Sequence, residues 1–429
     1  MAGRISLPES PGSREMNLTL YHIRKKSLGA RSEMPPATSW AQFGDDVLLY
    51  ADGAGSVRLS AAGVRGARRL RQQSPSLKAE HLYVVVQNGR MFQQEHPKVP
   101  VLLDKGRYLL VKLDPRRARQ LKDASPTCYG VFPLRKNQVV FDVRDRVARV
   151  EKVAWIQKLV DKIDRTMLES NLTRLASFQT RHSTSSHFKA AAIWAQDELK
   201  TMGYNTRFQN VSVSGRSSRS IIADKKGGAA DPRKVIMVTA HLDSINLAGG
   251  ATAPAPGADD NGSGSAGLLE IARALSKHPG RHDVRFILFG GEEQGLFGSQ
   301  RYVSTLSAKE RGRILSVINM DMIGTLNTAT QSVMLEGAPL SQRIIDSLSQ
   351  AAAAYTNLTV ETSLNPFASD HVLFINAGIP AVLTIEGADN TNSNIHSSKD
   401  VIDHINFGFA LEILRMNVAF VASEIGKKV

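Results

Sequence analysis

The sequence contains a single cysteine, Cys128, among its 429 residues. No disulfide can form within the chain, which excludes a small scaffold held together by disulfides. A metal site in this chain must therefore use nitrogen and oxygen ligands rather than thiolates. The sequence also lacks any run of about 18 apolar residues, the length that a membrane-spanning helix requires, so we expect no membrane span.

The amino-terminal segment lacks the features of an export signal. Its first residues, MAGRISLPESPGSREMN, contain no apolar core of the kind found in secretory signal peptides. We expect a protein that stays inside the cell, unless its natural start lies upstream of this sequence. Residues 1–38 are rich in Ser, Pro, Gly and Arg, a composition that predicts disorder.

Acidic residues are scarce in the first third of the chain. Residues 1–150 contain 26 Lys and Arg against 13 Asp and Glu, a balance of +13, whereas the remainder contains 28 against 27, a balance of +1. A basic segment can contact nucleic acid or anionic lipid. No nucleic-acid-binding motif accompanies the charge, so we expect no nucleic-acid partner and interpret residues 39–149 as a basic accessory domain or pro-domain.

Short alternating apolar runs punctuated by Gly and Pro predict a small α+β fold for this first domain. A helix is predicted over 114–122 because Asp and Pro stand at its start. The predicted strands are 46–50, 81–86, 107–113 and 138–143.

The pattern of apolar residues changes near residue 150, where predicted apolar strands begin to alternate with predicted helices. This pattern predicts an α/β domain over 150–429 whose largely parallel sheet is covered on both faces. The predicted helices are 150–168, 186–202, 263–276, 299–311 and 340–355. The predicted strands are 235–240, 284–289, 315–319 and 380–385.

Ligand-type side chains follow these strands at the point where each one ends. Because the carboxyl ends of parallel strands meet at one edge of a sheet, residues far apart in sequence are expected to converge there. Imidazole and carboxylate ligands without sulfur suit a catalytic Zn²⁺ site. The predicted metal ligands are His241, Asp259, Glu293, Asp321 and His396.

The charges of this set favour two metal ions over one. Three carboxylates packed together would repel one another and raise each other's pKa, and two divalent cations remove that repulsion. A pair of metals can share a bridging carboxylate and a bridging water. We predict Asp259 as the bridge, because it lies in the loop between the two ligand-bearing strands that precede and follow it.

Two further acidic residues are expected to act in catalysis. Asp243 stands two residues after His241, where it can accept the imidazole N–H and fix its tautomer. Glu292 and Glu293 are adjacent, so their side chains point to opposite sides of an extended turn. We assign Glu293 to metal and Glu292 to the role of general base, which takes a proton from water and delivers it to the leaving amine.

Three other histidines are rejected as ligands. His282 precedes its strand and so lies at the wrong edge, while His371 and His404 stand at helix starts. Each ligand taken alone has a commoner explanation as a surface residue or a cap. The convergence of five such residues at successive strand ends is what predicts the site.

The motifs at these positions resemble the M28 peptidases, the bacterial leucyl aminopeptidase-like group of two-zinc enzymes. The resemblance covers about 150–429 and implies a phosphorylase/hydrolase-like three-layer sandwich with a mixed, mostly parallel sheet. The motifs are HLD at 241–243, GADDNGSG at 257–264, GGEEQGLFGS at 290–299, NMDMIG at 319–324, SDH at 369–371 and IHSSKD at 395–400.

The resemblance also implies how two Zn²⁺ per chain are held. One zinc would bind His241 and Glu293, the other Asp321 and His396, with Asp259 bridging them. It further implies a cis peptide bond after Asp259, peptide substrates with a free amino terminus and, for many members, export from the cell.

Removal of apolar amino-terminal residues is therefore the expected activity. Three rivals share the fold: a carboxypeptidase or dipeptidase, a glutaminyl cyclase-like transferase, and a binding protein without activity. A cyclase normally needs one zinc, and a binding protein usually loses ligands, whereas all five ligands and Glu292 are present here. Substrates with an acetylated amino terminus separate an aminopeptidase from a carboxypeptidase.

Overall fold

The computed structural model describes residues 18–27, 39–51, 68–69, 77–122, 129–145 and 150–427. These residues form a mixed sheet of 13 strands with helices packed on both faces of its central part, and a second sheet of four strands. The predicted three-layer α/β fold is thereby confirmed. Among the described helices, none combines the length and the apolar character needed to cross a bilayer.

The strands and helices are numbered in chain order. The strands are β1 (Thr19–Arg24), β2 (Ser39–Phe43), β3 (Asp46–Ala51), β4 (Arg68–Arg69), β5 (Leu82–Gln87), β6 (Val101–Lys105), β7 (Tyr108–Lys112), β8 (Tyr129–Pro133), β9 (Gln138–Val143), β10 (Asn205–Val213), β11 (Arg216–Lys225), β12 (Val235–His241), β13 (Asp283–Phe289), β14 (Ile314–Met320), β15 (Ser332–Glu336), β16 (Thr359–Ser363) and β17 (Ala381–Glu386). The helices are α1 (Met91–Glu95), α2 (Pro115–Lys122), α3 (Ala154–Val160), α4 (Arg165–Ala176), α5 (Ser186–Thr201), α6 (Gly264–Leu275), α7 (Phe297–Ser304), α8 (Ala308–Arg313), α9 (Gln342–Tyr355), α10 (His371–Asn376) and α11 (Phe407–Ile425).

Four parallel strands form the centre of the large sheet, in the order β13-β12-β14-β17. Antiparallel neighbours flank them, with β11 beside β13 and β15 beside β17. The carboxyl ends of the four parallel strands therefore lie along one edge. This edge carries the residues that follow β12, β13, β14 and β17.

Alternation along β12 shows how the sheet is buried on both faces. Ile236 and Val238 pack into the main core together with α3, α4, α5, α6, α9 and α11. Val235 and Met237 point to the opposite face, where α7 and α10 cover them. A strand buried on both sides requires the continuous apolar sequence seen here.

Two predicted helices are each split in the structure, and in both cases a capping side chain starts the second helix. Asp164 accepts hydrogen bonds from the amides of Thr166 and Met167 and so begins α4. Ser307 and Glu310 form a reciprocal capping box that begins α8. The apolar spacing alone could not reveal the first break, because Ile163 and Leu168 continue the spacing across it. After the second break the segment 307–313 is polar, so only the capping residues mark the start of α8.

The first third of the chain contributes strands to the large sheet and also forms the whole of the small sheet. Strand β9 pairs with β16 of the central part, and β2 and β3 continue the same sheet beyond β9. Strand β1 also belongs to it, so the disorder predicted for 1–38 is wrong for Thr19–Arg24. Residues 1–17 and 28–38 lie outside the described part of the chain.

The small sheet, in the order β6-β7-β5-β8, packs against the face of the large sheet near its carboxyl edge. Val84 and Tyr108 from the small sheet share one core with Met322, Leu383 and Ile385 from the large one. The basic region is therefore packed directly beside the strand ends where the ligands were predicted.

A buried arginine connects the β6–β7 hairpin to the large sheet. Arg107 donates through Nε and Nη2 to the two oxygens of Glu336, at 3.1 and 3.2 Å. Tyr108 donates to the same carboxylate at 2.7 Å. Burial alone would raise the pKa of Glu336, but the charges and hydrogen bonds of Arg107 and His371 together outweigh it and lower the pKa to about 2.

Glu336→Gln removes this charge while keeping the side-chain shape. We expect the free energy of unfolding near neutral pH to fall by about 3 kcal/mol, the typical cost of breaking a buried ion pair. The pKa of Glu336 is lower in the folded chain than its ordinary value of 4.5. Its contribution is therefore present above pH 4.5 and is lost as the pH falls toward 2.

The measurement is urea unfolding of both proteins at about pH 7 and about pH 3.5. The difference in unfolding free energy should shrink at the lower pH. Glu169→Gln is the matched control, because Glu169 is exposed and should change stability by less than about 0.5 kcal/mol at either pH. A difference that stays constant between the two pH values would contradict the role given to Arg107 and Glu336.

Candidate metal centre

Four of the five predicted ligands meet at the carboxyl edge of the parallel strands. Nε2 of His241 lies 3.2 Å from Oδ1 of Asp321, and Nε2 of His396 lies 3.1 Å from Oε2 of Glu293. Between the two histidines stands Asp260, with Oδ1 at 3.3 Å from His241 and Oδ2 at 3.0 Å from His396. The structure thus has two groups that can each hold a metal ion, and they share Asp260.

Asp259 was predicted to bridge the two metals, but the structure places its neighbour Asp260 between the two histidines. Asp260 has extended backbone dihedrals, with φ −100° and ψ 96°, so the side chains of the two neighbours point in different directions. The sequence could identify the acidic pair but not which member faces the histidines. The non-proline cis peptide bond is shifted in the same way, since it joins Asp260 to Asn261.

Asp259 instead fixes the turn that follows β14. Its Oδ1 accepts the backbone N–H of Gly324 at 2.9 Å, and its Oδ2 accepts the side-chain amide of Asn392 at 2.8 Å. It is fully buried, and burial raises the pKa of its carboxyl. Asp259 therefore has a structural partner set of its own, outside the two groups.

The pairing of ligands also differs from the one that the resemblance implied. His241 groups with Asp321, and His396 groups with Glu293. The reason for the first pair is the strand order, because β12 and β14 are adjacent and parallel and His241 and Asp321 follow them side by side. Glu293 comes four residues after the end of β13 and so reaches the loop of His396.

Asp243 acts on a different partner from the one predicted. Nδ1 of His241 meets the backbone carbonyl of Asp243 at 3.1 Å, whereas the Asp243 carboxylate lies 3.8 Å from that nitrogen. The two carboxylate oxygens accept the backbone N–H groups of Glu292 and Glu293, both at 3.2 Å. Residue 243 thus positions the imidazole through its carbonyl and the two-glutamate turn through its carboxylate.

Glu292 and Glu293 point to different places, as the adjacent positions predicted. Glu293 faces His396, while Glu292 lines the cavity beside the two groups, with Oε2 at 4.0 Å from Nε2 of His241. Burial and the nearby carboxylates of Asp370 and Asp321 raise the pKa of Glu292 well above its ordinary value, although His241 opposes them. A carboxyl whose pKa is raised in this way has the character expected of a general acid and base.

The electrostatics of the cluster fit divalent cations. Burial would lower the pKa of His241 and of His396, but the surrounding carboxylates raise both well above the ordinary value. Burial and the charge of Asp260 raise the pKa of Glu293 to about 7. The acids thus need positive charge next to them, and Oε1 of Glu293 is buried without a hydrogen-bond partner. Nitrogen and oxygen donors with these properties match a zinc site.

Two residues that sequence reasoning missed hold the ligand-bearing loops. Arg181 is fully buried and donates to the backbone carbonyls of Leu242 and Gly257, both at 2.8 Å, which joins the loop after β12 to the loop before Asp260. The carboxylate of Asp400 accepts the N–H groups of Asp259 and Asp260, both at 2.9 Å. Nothing in the local sequence distinguishes Arg181 from an ordinary basic residue.

Ser369 and Asp370 form the back of the site. Ser369 donates to Oδ2 of Asp321 at 2.7 Å and so orients that carboxylate. Asp370 is fully buried and neither of its oxygens has a hydrogen-bond partner, while burial raises its pKa to about 7. The SDH motif at 369–371 includes both positions, although no role was predicted for Ser369 or Asp370.

The three rejected histidines lie outside the two groups. His371 is buried with Nε2 at 3.5 Å from Glu336, so it belongs to the Arg107 ion-pair cluster. His282 precedes β13 at the opposite edge of the sheet, and His404 is part of a short 3₁₀ turn. Their positions agree with the reasons for which they were set aside.

Comparison with known proteins gives consistent matches. Residues 220–421 match the model of peptidase family M28. The chain is 35% identical over 215 residues to leupeptin-inactivating enzyme 1 of Streptomyces exfoliatus, an alignment that covers 49% of this chain and 46% of that protein. It is 29% identical over 282 residues to leucine aminopeptidase 1 of Grosmannia clavigera, covering 61% of this chain and 68% of that protein.

A solved structure, that of a zinc aminopeptidase from Bacillus subtilis, shares the fold with a TM-score of 0.55 and 19% identity. The match covers 62% of this chain and 96% of the Bacillus chain. The chain spans about half the length of the Streptomyces relative, at 46% of it.

Asp260→Asn tests which aspartate is shared by the two groups. We expect this change to weaken Zn²⁺ binding at both groups by about 100-fold or more, because each loses a charged ligand. Asp259→Asn is the matched control and should leave the zinc affinity within about tenfold of the wild type. Titration with zinc against a chromophoric chelator measures both. Equal losses in the two variants, with both proteins still folded, would contradict the assignment.

Proposed function

We propose that this chain, whose residues 220–421 match the model of peptidase family M28, is a zinc aminopeptidase that removes single apolar residues from the amino end of peptides. The observation that carries the proposal is the position of Asp260, whose two oxygens each face one histidine. One zinc would be held by His241, Asp260 and Asp321, and a second by Asp260, Glu293 and His396. The leucine and zinc aminopeptidases among its matches support this class of reaction.

When bound, the zinc ions would supply positive charge that polarises the scissile carbonyl and lowers the pKa of water at the site. The chain's own residues handle the protons. Glu292 takes a proton from the attacking water as the water oxygen bonds to the carbonyl carbon. When the C–N bond breaks, the same proton passes from Glu292 to the leaving amine, so that the carboxylate is regenerated.

Asp243 keeps Glu292 in position for these transfers. Its carboxylate holds the backbone N–H groups of both glutamates, which sets the two side chains toward different targets. Ser369 similarly holds one oxygen of Asp321 by a hydrogen bond. Residues that hydrogen-bond to metal ligands without binding the metal themselves commonly change metal affinity and activity.

The cavity beside the two groups supports a preference for apolar side chains. Part of its wall is formed by Met322, Leu383, Ile385 and Ile395. An apolar side chain at the amino end of a peptide gains free energy by leaving water for such a surface. The acidic side chains at the site can in addition attract the positively charged amino terminus of the substrate.

Glu292→Gln should lower kcat by about 100-fold or more, because the amide cannot accept and return the proton. Zinc binding should remain, since Glu292 lies outside both metal-binding groups. The check is kcat on leucine 4-nitroanilide together with the zinc content of the purified variant. If the variant keeps its zinc and turns over at the wild-type rate, the role given to Glu292 is wrong.

A pair of substrates tests whether the enzyme requires a free amino terminus on its substrate. Leucine 4-nitroanilide should be hydrolysed, whereas its N-acetyl derivative should react at least about 100 times more slowly, because the ammonium group that the acidic site attracts is missing. Comparable rates on both substrates would reject an aminopeptidase and favour an enzyme that does not read the amino terminus.

A further inference from the structure

The cavity that contains the metal-binding groups has a wall formed by the first third of the chain. Asn88 and Arg107 line it together with Asp389 and the ligands His241, Asp260 and His396. Its volume is about 30 Å³, which leaves room for only a few water molecules. Because the space is so narrow, a substrate side chain can enter only where the wall residues make room for it.

Arg107 is the charged residue that the first third contributes to this wall. Its side chain is 4% exposed, and it binds Glu336 through two nitrogens and Asp389 through Nη1 at 3.0 Å. It also donates to the carbonyl of Phe367 at 3.3 Å and to Asn88 at 3.3 Å. Every donor group of the guanidinium is thus used, and a single cation bonds to two carboxylates and offsets one of their two charges.

The segments that hold Arg107 are the segments that carry the metal-binding groups. Phe367 is two residues before Ser369, which hydrogen-bonds Asp321. Asp389 lies in the loop between β17 and His396. The guanidinium is therefore connected to both metal-binding groups through short stretches of chain.

The turn before Arg107 fits closely against the same loop. Gly106 has φ +74°, and a side chain at this position would place its first carbon 2.0 Å from Oδ1 of Asn390. Only glycine allows both the backbone conformation and the approach. The close packing of the β6–β7 turn therefore places Arg107 in the wall of the cavity.

Without the arginine, Asp389 in the cavity wall would lose its cationic partner. Glu336, which Arg107 also holds, would keep only the Tyr108 hydroxyl, the N–H of Phe367 and His371 beside it. Buried carboxylates strongly favour a cationic partner that can bond to both. The side chain of arginine or lysine at the amino end of a peptide carries the same charge as Arg107 and has a comparable length. The acid pair would then form a pocket for basic side chains.

We propose that Arg107 is a specificity-determining residue, which occupies an acidic subsite formed by Glu336 and Asp389 and thereby excludes peptides with a basic amino-terminal residue. The inference rests on the proposed aminopeptidase function and refines its substrate class. With Arg107 in place both acids are bonded to the guanidinium, and the apolar wall residues Met322, Leu383, Ile385 and Ile395 remain to contact the substrate side chain. A region outside the peptidase family match thus sets the charge of the substrate pocket.

Arg107→Ala in the full chain empties the subsite. The ratio of kcat/KM for lysine 4-nitroanilide to that for leucine 4-nitroanilide should rise by at least about tenfold, the equivalent of one favourable charged contact. Arg90→Ala is the matched control, because Arg90 is an exposed arginine of the same region and contacts Asp104. It should leave the ratio unchanged. A ratio that stays the same in Arg107→Ala would overturn the proposal.

A second comparison distinguishes the effect of the acidic charge in the subsite from the effect of a wider cavity. Adding Asp389→Asn to Arg107→Ala should remove most of the gain on the lysine substrate, because one of the two acids is lost. If the cavity were simply wider, the double variant would keep the gain and phenylalanine 4-nitroanilide would gain as much as the lysine substrate. That pattern would show that Arg107 limits only the size of the substrate side chain and not its charge, and the proposal would fail.

Methylguanidinium provides a readout that does not depend on turnover. At millimolar concentration it should raise the Tm of Arg107→Ala more than that of the wild type or of Arg90→Ala, because it can replace the missing guanidinium. It should also inhibit that variant on the lysine substrate. An equal Tm shift in all three proteins would count against the subsite even if none of them hydrolysed any amide.

The wild type itself gives the remaining test, which stands if Arg107→Ala does not fold. The unaltered chain should hydrolyse the leucine substrate with a kcat/KM at least about tenfold higher than the lysine and arginine substrates. Equal rates on all three would overturn the proposal while leaving the aminopeptidase function intact. Absence of hydrolysis of every amide would instead refute the proposed function.

Discussion

The site depends on one carboxylate, that of Asp260, whose two oxygens face a histidine each. Burial would raise the pKa of this group, but hydrogen bonds from His241 and His396 lower it, so it stays charged in the middle of the cluster. Removing Asp260 would leave two separate histidine–acid pairs, neither with a third ligand. The pairing of two cations around a shared water is possible only if this one side chain is held between the histidines.

Much of the surrounding structure serves to hold it there. The parallel order of β13, β12, β14 and β17 brings the ligands to one edge, which requires strands buried on both faces and hence helices on both sides. Arg181 and Asp400 fix the loops on either side by bonding to backbone groups, and their charges are opposite. The first third of the chain extends the same sheet and places Arg107 in the cavity wall, so the cavity beside the two groups is lined by regions distant in sequence.

The sequence was sufficient to predict that ligand-type side chains converge at one edge of the sheet and insufficient to predict their arrangement there. His241, Glu293 and Asp321 stand at or shortly after the ends of apolar strands. The carboxyl ends of parallel strands meet at one edge of the sheet, so the location of these residues could be predicted without knowing the loop conformations. The choice between Asp259 and Asp260 depends on backbone dihedrals in a loop, which no periodicity encodes. The joining of β9 to β16 was equally hidden, because strand pairing over more than 200 residues leaves no local pattern. Arg181 and Arg107 act through tertiary contacts alone, so they look like ordinary basic residues in the sequence.

The most direct test of this account is the location of zinc in crystals of the protein, found from anomalous scattering at the zinc absorption edge. The account predicts two peaks about 3.5–4 Å apart on either side of Asp260. One peak would lie beside His241 and Asp321, and the other beside His396 and Glu293. A single peak, or a pair of peaks flanking Asp259, would contradict it.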